Sequence, residues 1–140
     1  MPDQLDDFVK DLQDRIYDDA LRDYGREAFD RWLDPKYMYV MDSADGHGRI
    51  TGSCGDTMEV FLRFEGGRVR EASFMTDGCG PSMICGSLAA ELAMGKSPEE
   101  IRQIGAGTIL DTIGGLPEED VHCASLAANA LQVALHNCDK

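Results

Sequence analysis

Thr57-Met58-Glu59-Val60-Phe61-Leu62-Arg63-Phe64, then Glu65-Gly66-Gly67, then Arg68 to Met75, reads as a β-hairpin. Met58, Val60, Leu62 and Phe64 recur at every second position, the spacing of a strand that buries one face. The two glycines supply the conformations a tight, twisted turn requires. Gly48-Arg49-Ile50-Thr51 offers a third short strand just upstream. Two or three antiparallel strands are not stable alone in water, so helices must cover one face.

The sequence on either side supplies those helices. From Pro81 to Met94, Ile84, Leu88 and Leu92 step by four among the small residues Gly86, Ala89 and Ala90, and Gly95-Lys96 closes the segment. Ser97-Pro98-Glu99-Glu100 is a helix start, with serine as cap, proline in the first turn and glutamate three residues past the cap. Ile101, Ile104, Ile109, Leu110 and Ile113 continue a broken helical region to Gly114-Gly115. Pro117 opens a last helix whose apolar face is Ala127, Ala130, Leu131, Ala134 and Leu135, with acids in its first turn where the dipole favours them. Upstream, Leu5, Phe8, Val9, Leu12, Ile16 and Leu21 predict an amphipathic helix from Asp3 to Tyr24. Ala28, Phe29, Trp32 and Leu33 carry a second stripe that stops at Asp34-Pro35. Lys36 to His47 reads as a polar loop. The fold expected is α+β: a small three-stranded antiparallel sheet with helices packed on one face. Residues 1–140 form one domain in this reading, with 1–47 an acidic helical extension and loop.

A formal charge of −13 argues against nucleic acid and anionic membrane as partners, because phosphate binding needs a basic surface. It leaves room for a basic protein or a metal cation. The N-terminal acids, Asp3, Asp6, Asp7, Asp11, Asp14, Asp18 and Asp19, read as a solvated helix face. No apolar run reaches membrane-spanning length and Met1-Pro2-Asp3 begins no signal peptide, so a cytoplasmic protein is expected. Five cysteines, Cys54, Cys79, Cys85, Cys123 and Cys138, are an odd number without an export signal. That points away from a disulfide framework, towards thiols, metal ligation or catalysis. With no C-x-x-C, a metal site must be assembled from distant segments.

Three segments could assemble it. Gly52-Ser53-Cys54-Gly55-Asp56 sets a thiol and a carboxylate two residues apart in a loop that its glycines allow to close around an ion. Gly78-Cys79-Gly80-Pro81 lies where a strand meets a helix, and a thiol just before a helix ionises more easily there. His122-Cys123 lies in the first turns of the last helix. These residue types bind zinc or iron, and three or four of them together fill a tetrahedral site. Each cysteine taken singly also reads as a small buried hydrophobe, and the residues alone leave the two readings level.

The order of the three motifs, and cysteine separations of 25 and 44 residues, resemble the NifU N-terminal/IscU-type family of iron–sulfur cluster scaffolds. The likeness runs from about Gly48 to Leu135 and includes Gly95-Lys96-Ser97 and Leu126-Ala127-Ala128. The resemblance implies an α+β fold with a three-stranded sheet. It implies a non-enzymatic scaffold that receives persulfide sulfur from a cysteine desulfurase and iron from an iron donor, builds a transient [2Fe–2S] cluster and passes it to apo iron–sulfur acceptor proteins. Cys54, Cys79 and Cys123 become cluster or metal ligands, Asp56 a metal ligand or a group that keeps the cluster labile, and His122 an alternative ligand. Zinc or iron is expected in the isolated protein.

The chain departs from the family pattern in three places. Glu118-Glu119-Asp120 stands where Pro-Val-Lys commonly follows Leu-Pro, which weighs against recognition by the specialised Hsp70 chaperone. Cys85 replaces a serine and, six residues along a helix from Cys79, is assigned to the core. Residues 1–47 are longer and more acidic than the family pattern. Cys138, near the terminus, is read as a bystander. A zinc-bound persulfide acceptor that builds no cluster is the alternative function, although such relatives carry a longer insert between the second and third cysteines. A thiol enzyme with Cys123 or Cys79 as nucleophile and His122 as base is a third; adjacent helical residues point about 100° apart, which sets His122 and Cys123 poorly as a base–nucleophile pair and leaves His122 to serve Cys79 or Cys54.

Overall fold

In this computed structural model, residues 35–138 are described, apart from Cys54 and Cys79 and the side chain of Glu119. The helices expected within 3–33 lie outside the described residues, as do the positions of Cys54 and Cys79.

The hairpin is present. β1 (Gly46–Thr51), β2 (Thr57–Glu65) and β3 (Arg68–Thr76) form one antiparallel sheet in the order β1-β2-β3. β1 begins two residues before the segment read as a strand, so the end of the expected loop, Gly46-His47, is strand instead. Gly66 and Gly67, with φ of 62° and 81°, make the two-residue turn between β2 and β3. Val60 pairs with Phe74 and Leu62 with Ala72, which puts Met58, Val60, Leu62, Ala72 and Phe74 on one face, all nearly or fully buried. An irregularity between Arg63 and Phe64 shifts the register so that Phe64 pairs with Val69 and Arg70 is passed over. The bulge turns Val69 into the core and leaves Arg70 exposed, paired with Glu65.

Among the described residues, four helices cover that face: α1 (Gly80–Ala93), α2 (Pro98–Arg102), α3 (Ala106–Ile113) and α4 (Val121–His136), the last preceded by a 3-10 turn at Glu118–Asp120. In α1, 11 of 14 residues are buried, so this helix is the middle of the core rather than its cover. Ile84, Cys85 and Leu88 are fully buried on it, the place the sequence assigned to Cys85. Gly86 gives Phe74 its seat, since a Cβ there would fall 2.4 Å from the ring. Each fully buried leucine here, Leu62, Leu88 or Leu131, stabilises the fold by about 1.5–3 kcal/mol.

α2 starts as its sequence indicates. Ser97 caps it, Glu100 returns the bond to the Ser97 N–H, and those bonds hold the Glu100 carboxyl below its ordinary range. Gly114, with φ of 78°, ends α3.

β1 meets α4 at van der Waals limit. A Cβ on Gly46 would lie 2.3 Å from the Ala134 carbonyl oxygen, and one on Gly48 2.4 Å from the Ala134 nitrogen and 2.5 Å from the Ala130 oxygen. Further along, Gly52 lies against Leu126. The two elements therefore run antiparallel, and the end of β1 points towards the start of α4. The opposite sheet face carries His47 stacked on Phe61 at 4.5 Å, with the pairs His47–Glu59 and Arg63–Glu71. Tyr37 and Met38 dock the preceding turn on β3 through Phe74. No helix among the described residues is long and apolar enough to cross a membrane.

Candidate metal centre

The three motif-bearing segments meet at one end of the sheet. The β1–β2 connection closes through Gly52 N–H to the Asp56 carbonyl at 2.8 Å and Gly55 N–H to the Gly52 carbonyl at 3.0 Å. Gly55 adopts φ of 92°, a conformation that costs a side-chain-bearing residue strain. Beside it runs the β3–α1 connection. The Asp77 carboxylate accepts from Thr57 N–H at 2.7 Å, the Thr76 hydroxyl donates to the Thr57 carbonyl at 2.6 Å, and Gly78 N–H donates to the Thr76 hydroxyl at 3.1 Å. These bonds fix the two connections edge to edge, and the residues flanking both Cys54 and Cys79 belong to them.

The start of α4 completes the group. Cys123, 1% exposed, presents its thiol inward, while His122 is exposed and Asp56 half-buried. The buried Ser82 hydroxyl, in the first turn of α1, lies 3.3 Å from Asp56 Oδ2 and 3.6 Å from Cys123 Sγ. Thus Asp56, Ser82 and Cys123, from three different segments, are in contact. His122 Nε2 is 3.7 Å from Cys123 Sγ. The 100° between neighbouring helical residues does not keep them apart, because the imidazole is long enough to swing back to the sulfur. Sequence reasoning set this pair as poorly placed, and the geometry corrects that.

Among the described residues, no group of three or more His, Cys, Asp or Glu is gathered to hold a metal. Asp56, Cys123 and His122 are the members of the predicted set that can be located, and they adjoin one another through Ser82 and Cys123. Ser82 was missed by sequence reasoning. Its only signal was position, three residues past Cys79 at a helix start. A shallow groove beside the group is lined by Thr51, Gly52, Ser53, His122, Leu126 and Asn129. Cys138 sits at the far end of α4, its thiol 3.4 Å from the Ala134 carbonyl, away from this site.

The profile of the NifU-like N terminal domain family matches residues 23–140. Iron-sulfur cluster assembly scaffold protein IscU 1 of Archaeoglobus fulgidus is 34% identical over 113 residues, covering 80% of this chain and 74% of that one. The scaffold protein IscU of Haemophilus influenzae is 32% identical over 117 residues, covering 80% and 92%. Among solved structures, the N-terminal part of a NifU-like protein from Brucella abortus matches with a TM-score of 0.65 at 15% identity, covering 84% of this chain and 94% of that one. A putative iron-sulfur cluster assembly scaffold protein for the SUF system from Fervidobacterium islandicum matches at 0.63 and 19%, covering 83% and 98%. At those identities the structural likeness bears on the fold alone, and it agrees with the three-stranded sheet and its helical cover. Fold, motif order and family profile coincide over the same residues: this chain belongs to the NifU-like N terminal domain family.

Proposed function

We propose that this protein is a scaffold that assembles an iron–sulfur cluster and hands it on, with Cys54, Cys79 and Cys123 as thiolate ligands and Asp56 as the exchangeable one. The carrying observation is the contact of Asp56 and Cys123 across the Ser82 hydroxyl, at the sheet end where the flanks of the other two cysteines also meet. Thiolates are the natural ligands of iron–sulfur clusters. A scaffold must also let go, and a hard carboxylate among soft thiolates supplies a weaker bond. Three thiolates and one carboxylate give two ligands to each iron of a [2Fe–2S] cluster, the cargo we assign. His122, exposed and beside Cys123, is the alternative donor when Asp56 leaves. The protein is a carrier rather than an enzyme: iron and persulfide sulfur enter, a thiol reductant such as excess cysteine supplies the two electrons that take each sulfur to sulfide, and the assembled cluster leaves.

The partners follow from that chemistry. Sulfur arrives as persulfide from a cysteine desulfurase, iron from a donor, and apo iron–sulfur proteins accept the product. Zinc suits the same donors and can occupy the site in the isolated protein. The test is anaerobic incubation with iron, cysteine and a cysteine desulfurase. Visible charge-transfer absorption, with iron and sulfide bound in equal amounts, is the expected result. Persulfide on the protein without iron chromophore would replace this reading with the zinc-bound persulfide acceptor.

The specialised Hsp70 chaperone is not among the partners we assign. After Pro117, in an extended conformation, the chain enters the 3-10 turn Glu118–Asp120 with Glu118 exposed. A groove that reads Pro-Val-Lys through an apolar pocket and a partner for lysine would meet carboxylates there, with their desolvation cost and repulsion. A peptide spanning Gly114 to Val121 is expected to leave that chaperone's ATPase unstimulated. Stimulation matching a Leu-Pro-Pro-Val-Lys peptide would restore the chaperone to the scheme.

A further inference from the structure

We propose that Ser82 is a positioning residue of this site, its hydroxyl holding the Asp56 carboxylate and the Cys123 sulfur in alternation and so coupling one ligand to the other. The inference rests on the ligand assignment above. Ser82 is fully buried, and both hydrogen bonds of its hydroxyl among the described residues go to those two side chains. A serine in the first turn of a helix ordinarily turns its oxygen to the unsatisfied backbone N–H groups or to water. Here it turns to a carboxylate at 3.3 Å and a thiol at 3.6 Å.

The surrounding backbone is shaped to allow this. A Cβ on Gly78 would fall 2.6 Å from Ser82 Oγ and 2.9 Å from Asp56 Oδ2, pressing on both at once. The glycine before Cys79 thus clears the space in which carboxylate and hydroxyl meet.

A hydroxyl has one proton to donate. While Asp56 accepts it, the carboxylate is held at the site edge and the Cys123 sulfur lacks that donor. When Asp56 turns to a metal ion, the hydroxyl, keeping its proton, is free to donate its hydrogen bond to Cys123 Sγ. A hydrogen bond to a ligating sulfur raises the reduction potential of a cluster. Ser82 therefore orients the exchangeable ligand before loading and tunes the thiolate after it.

Cobalt(II) alone probes the first role without cluster assembly, through its sulfur-to-metal absorption band, in the parent, Ser82→Ala and Gly78→Ala proteins. Both variants should bind cobalt about tenfold more weakly, the lower end of what loss of an outer hydrogen-bond partner costs a metal site. Alanine suits the helix at 82, and at 78 its Cβ presses on side chains of Ser82 and Asp56 rather than on backbone, so thermal midpoints near the parent's would separate the effect from unfolding. On protein loaded with its cluster, the Ser82→Ala midpoint potential should lie below the parent's, a shift that a purely structural serine would not produce. Unchanged cobalt affinity and unchanged potential in Ser82→Ala would overturn the proposal while leaving the scaffold reading intact. Serine-dependent cobalt binding in a protein that assembles no cluster would support the positioning role and defeat the scaffold reading. Absence of cobalt binding to the parent would overturn both.

Discussion

Replacing Cys123 by serine should leave a folded protein that retains less than a tenth of the iron and sulfide held by the parent after incubation with desulfurase, cysteine and iron. Loss of an outer partner already costs metal sites about 10–100-fold in affinity, and loss of a ligand costs more. The residue is buried at 1% exposure between the Ser82 hydroxyl and the His122 ring. Serine is nearly isosteric, so the packing at this buried position is kept and the loss is one of chemistry. Far-ultraviolet circular dichroism and a thermal midpoint close to the parent's would separate ligand loss from unfolding. Parental cluster content in the variant would remove Cys123 from the ligand set.

Replacing Gly48 by alanine is expected to be among the most damaging single-carbon changes in the described part of the chain. The added Cβ would meet backbone atoms of Ala130 and Ala134 at 2.4 to 3.0 Å, and backbone cannot rotate out of the way as a side chain can. β1 and α4 must separate, or the strand must shift. Overpacking of this kind costs about 3 kcal/mol, equivalent to a fall of about 10 °C in melting temperature for a domain of this size. Because β1 also sets where α4 begins relative to the Gly52–Asp56 connection, cluster retention should fall with stability. A melting temperature within about 2 °C of the parent would mean that the strand and helix are not in the close contact described.

Local chemistry made most of the fold legible. Ser97 and Glu100 announce the start of α2 on their own, and Gly66-Gly67 announces the turn, because caps and tight turns depend on a few adjacent residues. What depends on distant partners was not readable. Gly46 looked like loop because nothing near it in sequence reveals that Ala134 lies on top of it. The alternation in β3 fails at Arg70, and only the pairing with β2 reveals the bulge that turns Val69 inward. At the site, Asp56, His122 and Cys123 were legible as residue types at known spacings. Ser82 was not, since a serine in a helical first turn is ordinary until its neighbours from two other segments are in place. The close approach of His122 to Cys123 depends on a rotamer, which helical spacing alone does not fix.

X-ray absorption at the iron edge of the cluster-loaded parent, beside the Asp56→Ala variant, tests the central claim most directly. The account predicts an iron–sulfur shell near 2.3 Å, the length typical of metal–thiolate bonds, plus a minor oxygen contribution near 2.0 Å typical of a carboxylate ligand. In Asp56→Ala the oxygen contribution should give way to a histidine nitrogen, recognised by the outer-shell scattering of its imidazole ring, and that variant should lose its cluster to a chelator more slowly than the parent does. A shell of nitrogen and oxygen alone, or an iron environment identical in the two proteins, would contradict the assignment of a thiolate site with Asp56 as its exchangeable ligand.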